Sequence, residues 1–143
     1  MTTHPSCPCQ SGRSFADCCG PLLSGEHAAP TAEALMRSRY TAFAVRNVGY
    51  LLQSWHASTR PEAIDAATIP EWQGLWIMRT EEGREGDSKG VVEFKATFST
   101  GGQGRGVLRE VSRFVRENGQ WFYVDGDLQD SAVAAPKKEA KIQ

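Results

Sequence analysis

The chain has 143 residues, of which 16 are basic and 17 acidic, so its net charge is −1, and 40% of its residues are hydrophobic. This balance predicts one folded domain with one core, and it disfavours nucleic acid as a general partner because no basic field attracts phosphate. No apolar run approaches the roughly 18 residues that span a bilayer, and the first residues carry no export signal. We therefore expect no membrane partner and a cytoplasmic location.

All the cysteines of the chain lie close together near its start, at Cys7, Cys9, Cys18 and Cys19. A disulfide between adjacent cysteines is strained, whereas zinc holds its sulfur ligands about 4 Å apart in a tetrahedron. The spacing favours a zinc ion held by all four sulfurs, which leaves no position for water and makes the metal structural. Disulfides across the two cysteine pairs are the alternative, and they suit an oxidising compartment. His4 and His27 are further possible ligands, although each is expected to be a solvated loop residue.

The cysteine spacing, together with Ser11-Gly12 and Gly20, resembles the SEC-C motif, the small zinc module at the end of the preprotein translocase motor ATPase. That module docks on a partner chaperone, so the resemblance implies a structural zinc ion and a protein partner. The chain departs from the motif at Gln10, where the family usually has glycine. The family is also lysine-rich between the cysteine pairs, whereas here Arg13 is the one basic residue in that stretch.

We assign residues 1–20 to this zinc-binding motif and residues 21–30 to a connector that has glycine and proline near both ends. Leu22 and Leu23 are adjacent apolar residues within the connector, so we expect it to be docked on the main domain. We nevertheless expect the motif and the main domain to have separate cores.

The main domain begins with helical periodicity. Thr31 is a good N-cap, and apolar residues recur at helical spacing from there to Ala44. A second short amphipathic helix is predicted from residue 50 to a point near residue 56. A third helical segment is predicted over residues 58–67, so the first third of the domain is expected to be helical.

After residue 70 the periodicity changes from helical to alternating. Four strands are predicted in succession, over residues 72–79, 91–99, 107–116 and 120–125. Glycine-rich loops separate the first three strands, and Asn118-Gly119 is typical of a tight hairpin between the last two. Helices followed by an antiparallel sheet predict an α+β fold in which the helices cover one face of the sheet. We assign this domain to residues 31–127, and we expect residues 128–143 to form a flexible tail.

Several segments, in the same order, resemble the YchJ family of bacterial proteins. They are the cysteine motif and residues 34–43, 92–96, 110–114 and 121–126. The main domain of that family is similar to the nuclear-transport-factor-2-like fold, a cone in which a curved sheet wraps around helices. The resemblance implies that architecture here, with a small zinc knob at the N-terminal side. The family often has histidine before the glutamate of the third strand, where this chain has Arg109, so no role of that histidine is transferred.

The concavity of such a fold is a common place for ligands, and three residues are candidates for binding there. Arg39, on the first helix, is predicted either to be solvated or to turn inward, where it fixes the sheet or binds an anion. Glu110 shares a strand face with Leu108 and Phe114, so we expect it to be half buried or paired with an arginine across the sheet. His56 lies at a helix end, where the dipole favours its charged form, and a role as general base is the alternative. No nucleophile and base form a recognisable pair, so the sequence indicates no catalytic residue.

These observations support two main functions. The first is a protein-interaction adaptor in which the four-cysteine zinc site is structural and exposed residues of the knob, such as Arg13 or Phe15, contact the partner. The alternative is a small-molecule-binding protein or enzyme that uses the concavity. A third, minor hypothesis is redox sensing by Cys18 and Cys19, in which oxidation releases the metal.

Overall fold

A computed structural model describes residues 5–100 and 104–129. The helices and strands follow one another as α1 (Gly20–Leu23), α2 (Ala32–Ala44), α3 (Val48–Gln53), β1 (Glu71–Glu82), β2 (Lys89–Ser99), β3 (Arg105–Glu117) and β4 (Gln120–Leu128). Helices therefore precede an antiparallel sheet, and the predicted α+β class is confirmed. In the described part of the chain, no helix is long and apolar enough to cross a membrane. The predicted flexible tail lies, from residue 130 onwards, outside the described residues.

Helix α2 is the central helix of the domain. Thr31 accepts a hydrogen bond from the backbone N–H of Ala34 at 3.0 Å, which is the N-cap that the sequence predicts. The helix ends at Ala44, and two residues later Arg46 has the left-handed φ of 58° that stops helical propagation. Both sides of the helix are buried over most of its length, because it lies between the sheet, α3 and the cysteine motif.

The second helix of the main domain, α3, ends at Gln53, earlier than predicted. The hydroxyl of Ser54 donates to the carbonyl of Tyr50 at 2.7 Å, and the chain then runs alongside β4. There the N–H of His56 donates to the carbonyl of Tyr123 at 2.7 Å, and the N–H of Tyr123 donates to the carbonyl of Ser54 at 2.9 Å. Pairing with β4 therefore replaces the last helical turn that the periodicity predicted.

The prediction of a third helical segment over residues 58–67 is wrong. The structure has only a 3₁₀ turn there, Ala66–Thr68, which begins where Asp65 accepts from the N–H of Ala67 at 2.9 Å. Upstream, the Thr59 hydroxyl donates to the carbonyl of Val124 at 2.6 Å, and the Arg60 guanidinium donates twice to the carbonyl of Trp55. These side-chain bonds to distant backbone hold the segment in an irregular path that local propensity does not reveal.

The four strands form one antiparallel meander in the order β1-β2-β3-β4. All four predicted strands are confirmed, and each is longer than the apolar stretch from which it was predicted. The hairpin between β3 and β4 turns at Asn118 and Gly119, whose φ angles of 54° and 80° fit the predicted two-residue turn. Alternation along β2 places Val92, Phe94, Ala96 and Phe98 on the inner face, against α2.

The expectation of separate cores for the cysteine motif and the main domain is wrong. Cys7, Cys9 and Cys19 are buried in the same apolar cluster as Leu35 of α2 and Trp121 of β4. Leu22 and Leu23 of the connector pack against that cluster as well. The motif contributes to the core of the domain because its own few residues are too small a set to bury their apolar surface alone.

Candidate metal centre and cavity

The four cysteine sulfurs converge on one point. All four Sγ atoms lie within 4.8 Å of one another, with 3.6 Å between Cys9 and Cys18 and 3.9 Å between Cys18 and Cys19. None of the four is in a disulfide. Sulfurs at these separations match a tetrahedral set around one metal ion, for which metal–sulfur distances are about 2.3 Å. The cluster is therefore consistent with a metal site whose ligands are Cys7, Cys9, Cys18 and Cys19.

Tight turns of the backbone bring the two cysteine pairs together. The N–H of Cys7 donates to the carbonyl of Arg13 at 2.9 Å, and the N–H of Gln10 donates to the carbonyl of Cys7 at 3.0 Å. Gln10 and Gly12 have positive φ angles of 63° and 90°, so the loop between them requires left-handed backbone. The second pair follows the 3₁₀ turn Phe15–Asp17, where the N–H of Cys18 donates to the carbonyl of Phe15 at 3.1 Å.

The thiols compete for protons because they are crowded together. A hydrogen bond from the Cys19 thiol lowers the pKa of Cys9 to about 4. The same bond raises the pKa of Cys19, and burial raises the pKa of Cys18. Without a cation, ionisation of Cys9 is therefore favoured over ionisation of Cys18 or Cys19. A divalent cation would permit the remaining ionisations, since metal binding releases thiol protons.

Two arginines place positive charge beside the sulfurs. The Arg13 guanidinium lies 3.7 Å from the sulfur of Cys18. Arg37, on α2, donates to the carbonyl of Cys9 at 2.9 Å, and the same nitrogen lies 3.9 Å from the sulfur of Cys9. Sequence reasoning missed Arg37, because its spacing from Glu33 is typical of a solvated i, i+4 pair and nothing local shows which way the helix faces.

The motif also contacts the edge of the sheet. The side-chain oxygen of Gln10 accepts a hydrogen bond from the backbone N–H of Leu75 at 2.8 Å, next to an irregularity in the pairing of β1 with β2. The sulfur of Cys7 lies 3.7 Å from the hydroxyl of Thr41 on α2. The motif therefore sits between α2 and β1, attached to both by polar contacts.

Of the two histidines considered as extra ligands, the described one, His27, does not join the cluster. His27 is exposed and lies 3.9 Å from the carboxylate of Glu26. His4 lies outside the described residues.

A cavity lies between α2 and the inner face of the sheet. About 30 Å³ of it admits the centre of a water-sized sphere. The walls are almost entirely apolar, apart from a polar end. The lining residues are Met36, Arg39, Tyr40, Phe43, Trp72, Phe94, Ala96, Leu108, Glu110, Ser112 and Tyr123.

Arg39 forms part of the polar end of this cavity. Its side chain is turned inward, with the residue only 2% exposed, and its Nη1 donates to the carbonyl of Leu51 at 2.9 Å and to the hydroxyl of Ser54 at 2.7 Å. The guanidinium carbon lies 5.0 Å from the ring centre of Trp55 and 4.6 Å from that of Tyr123. Burial lowers the pKa of Arg39 to about 10, which still leaves it charged at neutral pH.

Glu110 lies in the same cavity wall and is 3% exposed. Its Oε2 accepts from the Ser112 hydroxyl at 2.8 Å and from the Tyr123 hydroxyl at 3.1 Å. Burial raises the pKa of Glu110. A side chain at Gly126 would overlap the carboxyl group, so the glycine of β4 provides its space. The hydrogen-bond partners of Glu110 are thus hydroxyls, rather than an arginine across the sheet.

His56 lies outside the lining of this cavity. Its Nδ1 lies 2.7 Å from the hydroxyl of Ser58, and its Nε2 lies 2.9 Å from the carboxylate of Glu117 at the end of β3. The structure therefore brings Arg39 and Glu110 together but separates His56 from them. Binding roles for these residues remain predictions.

The chain matches the YchJ middle NTF2-like domain over residues 31–126 and the SEC-C motif over residues 6–21. A UPF0225 protein of Chromobacterium violaceum is 49% identical over 85% of this chain and 91% of its own length. One from Streptomyces coelicolor is 44% identical over 88% of this chain and 98% of its own.

Two solved structures have the same fold. The solution structure of a SEC-C motif containing protein from Rhodopseudomonas palustris has a TM-score of 0.76 and 34% identity, covering 87% of this chain and 98% of that one. The crystal structure of a SEC-C motif containing protein from Psychrobacter arcticus has a TM-score of 0.68 and 28% identity, covering 89% and 84%. Both the cysteine cluster and the helix-covered sheet are thus matched, and the chain belongs to the UPF0225 family, with a SEC-C motif followed by a YchJ middle NTF2-like domain.

Proposed function

We propose that this protein is an adaptor in which the four-cysteine centre holds a structural zinc ion and the outer face of the sheet binds a protein partner. The observation that carries the proposal is an exposed tryptophan and methionine on the edge strand, beside the cysteine motif.

Zinc suits the metal centre because all four donors are sulfurs. Thiolates select zinc, copper(I) or iron–sulfur clusters among the common metals, and one closed tetrahedral set suits a single zinc ion. Native mass spectrometry of protein purified without chelator, with metal analysis, tests this assignment. We expect one zinc ion per chain and four thiols that become alkylatable after denaturation. Iron, copper or a pair of disulfides in place of zinc would contradict it.

The outer-face patch consists of Trp76, Met78, Arg79, Lys95 and Arg109. Trp76 is 45% exposed and Met78 is 50% exposed, although both are large and apolar. The Lys95 ammonium lies 4.9 Å from the ring centre of Trp76. Tryptophan, methionine and arginine are enriched in protein interfaces, so this combination is typical of a contact surface.

The charges of the patch favour an acidic partner. Trp76 pairs with Lys95, and Lys95 pairs with Arg109, so one row across three strands carries the indole and two cations. Glu93 contacts both Arg79 and Arg109, at 3.0 Å and 3.4 Å, and Glu81 also forms an ion pair with Arg79. These two carboxylates face three cations, so the patch keeps a small positive excess. We infer a partner segment with acidic and apolar side chains, which suits both the cations and the indole.

The adaptor hypothesis is tested with the zinc-loaded protein as bait in a lysate of its own organism, followed by binding measurements with the purified partner. We expect Trp76→Ala to weaken binding by about tenfold or more, as for an interface hot spot. Val45→Ala is the control, because Val45 is similarly exposed but lies just after the C-terminal end of α2, outside the outer-face patch. Equal binding of the purified partner to both variants, or the lack of any partner, would contradict this surface.

A second candidate function, small-molecule binding in the cavity, is favoured by a separate observation. Among the described residues, Arg39 Nη2 and Trp72 Nε1 are buried donors without an acceptor, and both residues line the cavity. Buried donors rarely remain unpaired in a folded protein.

A further inference from the structure

Cys18 differs from the other cysteines of the cluster in its exposure. Cys7, Cys9 and Cys19 are only 3%, 0% and 1% exposed, whereas Cys18 is partly exposed. A small solute that approaches the cluster from solvent therefore meets Cys18 first. An accessible thiolate in a polar setting is open to oxidation, whereas a buried cysteine is largely inert.

Two polar groups flank the sulfur of Cys18. The exposed guanidinium of Arg13 lies 3.7 Å from Cys18 Sγ, and the hydroxyl of Ser11 lies 3.2 Å from it. A cation at this position favours the thiolate, which is the form that attacks a peroxide. It also stabilises the negative charge that develops on the departing oxygen of the peroxide. The surroundings of Cys18 are therefore suited to reaction as well as to metal binding.

The sulfur next to Cys18 belongs to Cys9. Their Sγ atoms are 3.6 Å apart, compared with 3.9 Å between Cys18 and Cys19. Consecutive residues have Cα atoms about 3.8 Å apart, which is closer than the roughly 4.4–6.8 Å of an unstrained disulfide. Cys9 lies on a separate turn of the chain and is free of that constraint. An oxidised Cys18 thus has Cys9, rather than its neighbour in sequence, as its disulfide partner.

We propose that Cys18 is a peroxide-reactive site, and that its oxidation to a disulfide with Cys9 removes two of the four metal ligands. The proposal rests on the zinc assignment of the proposed function and adds a reaction to that centre. Because the cysteines belong to the common core, the reaction links oxidation of one partly exposed sulfur to the stability of the whole domain.

Hydrogen peroxide is the oxidant in this reaction. The Cys18 thiolate attacks one peroxide oxygen; the S–O bond forms, the O–O bond breaks, and the departing hydroxide takes a proton from solvent to give water. The Cys9 thiolate then attacks Cys18 Sγ; the S–S bond forms, the S–O bond breaks, and the second hydroxide also becomes water. The two sulfurs together lose two electrons, which the peroxide gains. Cys7 and Cys19 stay reduced, and two sulfurs do not close a tetrahedral site.

The test uses the full-length, zinc-loaded protein and hydrogen peroxide. A chromophoric chelator reports zinc release, while samples taken over time are alkylated, cut with trypsin after Arg13, between the two cysteine pairs, and sequenced by tandem mass spectrometry. We expect zinc release in step with formation of a bond between Cys9 and Cys18, with Cys7 and Cys19 recovered as alkylated thiols. Dimedone, which traps sulfenic acid, should label Cys18 before any other cysteine.

Arg13→Met tests the surroundings of Cys18 without removing a ligand. Dimedone labelling of Cys18 should slow by about fivefold, because an exposed charge-assisted contact is lost. Arg84→Met is the matched control, since Arg84 is also exposed but has its ion pair with Asp87. The control should change the labelling rate less than twofold. An unchanged rate in Arg13→Met would overturn the part assigned to Arg13.

Failure of this proposal is distinguishable from failure of the zinc assignment. Protein that holds no zinc before peroxide is added would overturn the zinc assignment, and the release of metal with it. Zinc-loaded protein in which Cys18 resists a large excess of peroxide would overturn this proposal alone. So would first labelling of a buried cysteine, a bond from Cys18 to a cysteine other than Cys9, or zinc retained after that bond has formed.

Discussion

Arg37 and Arg39 lie two residues apart on α2 and therefore point about 200° apart around the helix axis. Arg37 faces the cysteine motif, where its guanidinium contacts Glu33 and Cys9. Arg39 faces the sheet, where it is held by neutral oxygens and aromatic rings. The first arginine has anionic neighbours and the second has none within ion-pair distance in the described residues. Helix α2 thus lies between two polar clusters. The charges of the cysteine cluster are balanced once a metal is bound, whereas the charge of Arg39 has no ion-pair partner in the described residues.

The comparison indicates different roles for the two buried clusters. The cysteine cluster stabilises the fold, because its residues belong to the common core and its charges are compensated from the protein. The cavity retains unpaired donors, which are a cost to stability and are typical of sites kept for a ligand. A substitution on the cavity side of α2 should therefore change stability without changing metal affinity, and a substitution on the cysteine side should mainly change metal affinity.

Metal removal should have the largest effect. Because the cysteines share the core of the domain, chelation should lower the free energy of unfolding of the whole chain, by about 4 kcal/mol where free zinc is about 1,000-fold above its Kd. Urea unfolding of metal-loaded and chelated protein, followed by far-ultraviolet circular dichroism and tryptophan fluorescence, measures this. We expect a single transition that both probes report together. A sheet transition that is unchanged by chelation would show that the motif folds independently.

Arg39→Met should have the next largest effect on stability. The substitution removes charged hydrogen bonds to Leu51 and Ser54 and the contacts with two aromatic rings, but it also removes a buried cation. The net cost should be about 2 kcal/mol, since the lost charged hydrogen bonds and aromatic contacts outweigh the relief of no longer burying a cation. Metal affinity should not change, as measured by competition with a chromophoric chelator. A tenfold loss of metal affinity would contradict the separation of the two sides of α2.

Arg37→Met should show the reverse pattern. It removes one hydrogen bond to the Cys9 carbonyl and a partly exposed pair with Glu33, so the metal-free protein should lose only about 1 kcal/mol. Metal affinity should fall by about 10-fold to 100-fold, as for other groups that contact metal ligands. The same chelator competition measures it, and Arg39→Met is the matched control. An unchanged affinity would mean that Arg13 alone compensates the thiolate charge.

The sequence predicted the metal centre more completely than the cavity because of how far apart the contributing residues lie. The four cysteines fall within thirteen positions, so their spacing alone predicts the cluster. The cavity brings together Arg39, Trp72 and Glu110 from α2, β1 and β3, and no local pattern reports that they meet. Arg37 was missed for the same reason, since its partner Cys9 is 28 residues away in the chain.

Helices and strands show the same dependence on distance. The strands were predicted because alternation is a local signal that the inner face of the sheet imposes directly, as along β2. The predicted third helix failed because Thr59 and Arg60 bond to backbone at Val124 and Trp55 instead of forming helical bonds. The sequence likewise does not reveal the role of Gly126, a glycine within a strand whose lack of a side chain makes room for the Glu110 carboxyl group.

Gln10 offers the smallest and most specific test of how the motif is attached. Its left-handed φ of 63° costs a non-glycine residue about 1–2 kcal/mol, which explains why glycine is usual at this position of the motif. Its side chain returns stability by accepting from the N–H of Leu75 at the edge of β1. Gln10→Gly removes both the strain and the bond, so stability should change by less than about 0.5 kcal/mol.

Gln10→Ala separates the two contributions, because it keeps the strained backbone and loses the hydrogen bond. We expect it to destabilise the metal-loaded protein by about 1–2 kcal/mol, since the Leu75 N–H is left without its acceptor. Urea unfolding of the two variants beside the parent protein gives both values. If alanine and glycine were equally tolerated, the Gln10 contact with β1 would contribute nothing, and the motif would be held to the sheet side of the domain by its apolar contacts alone.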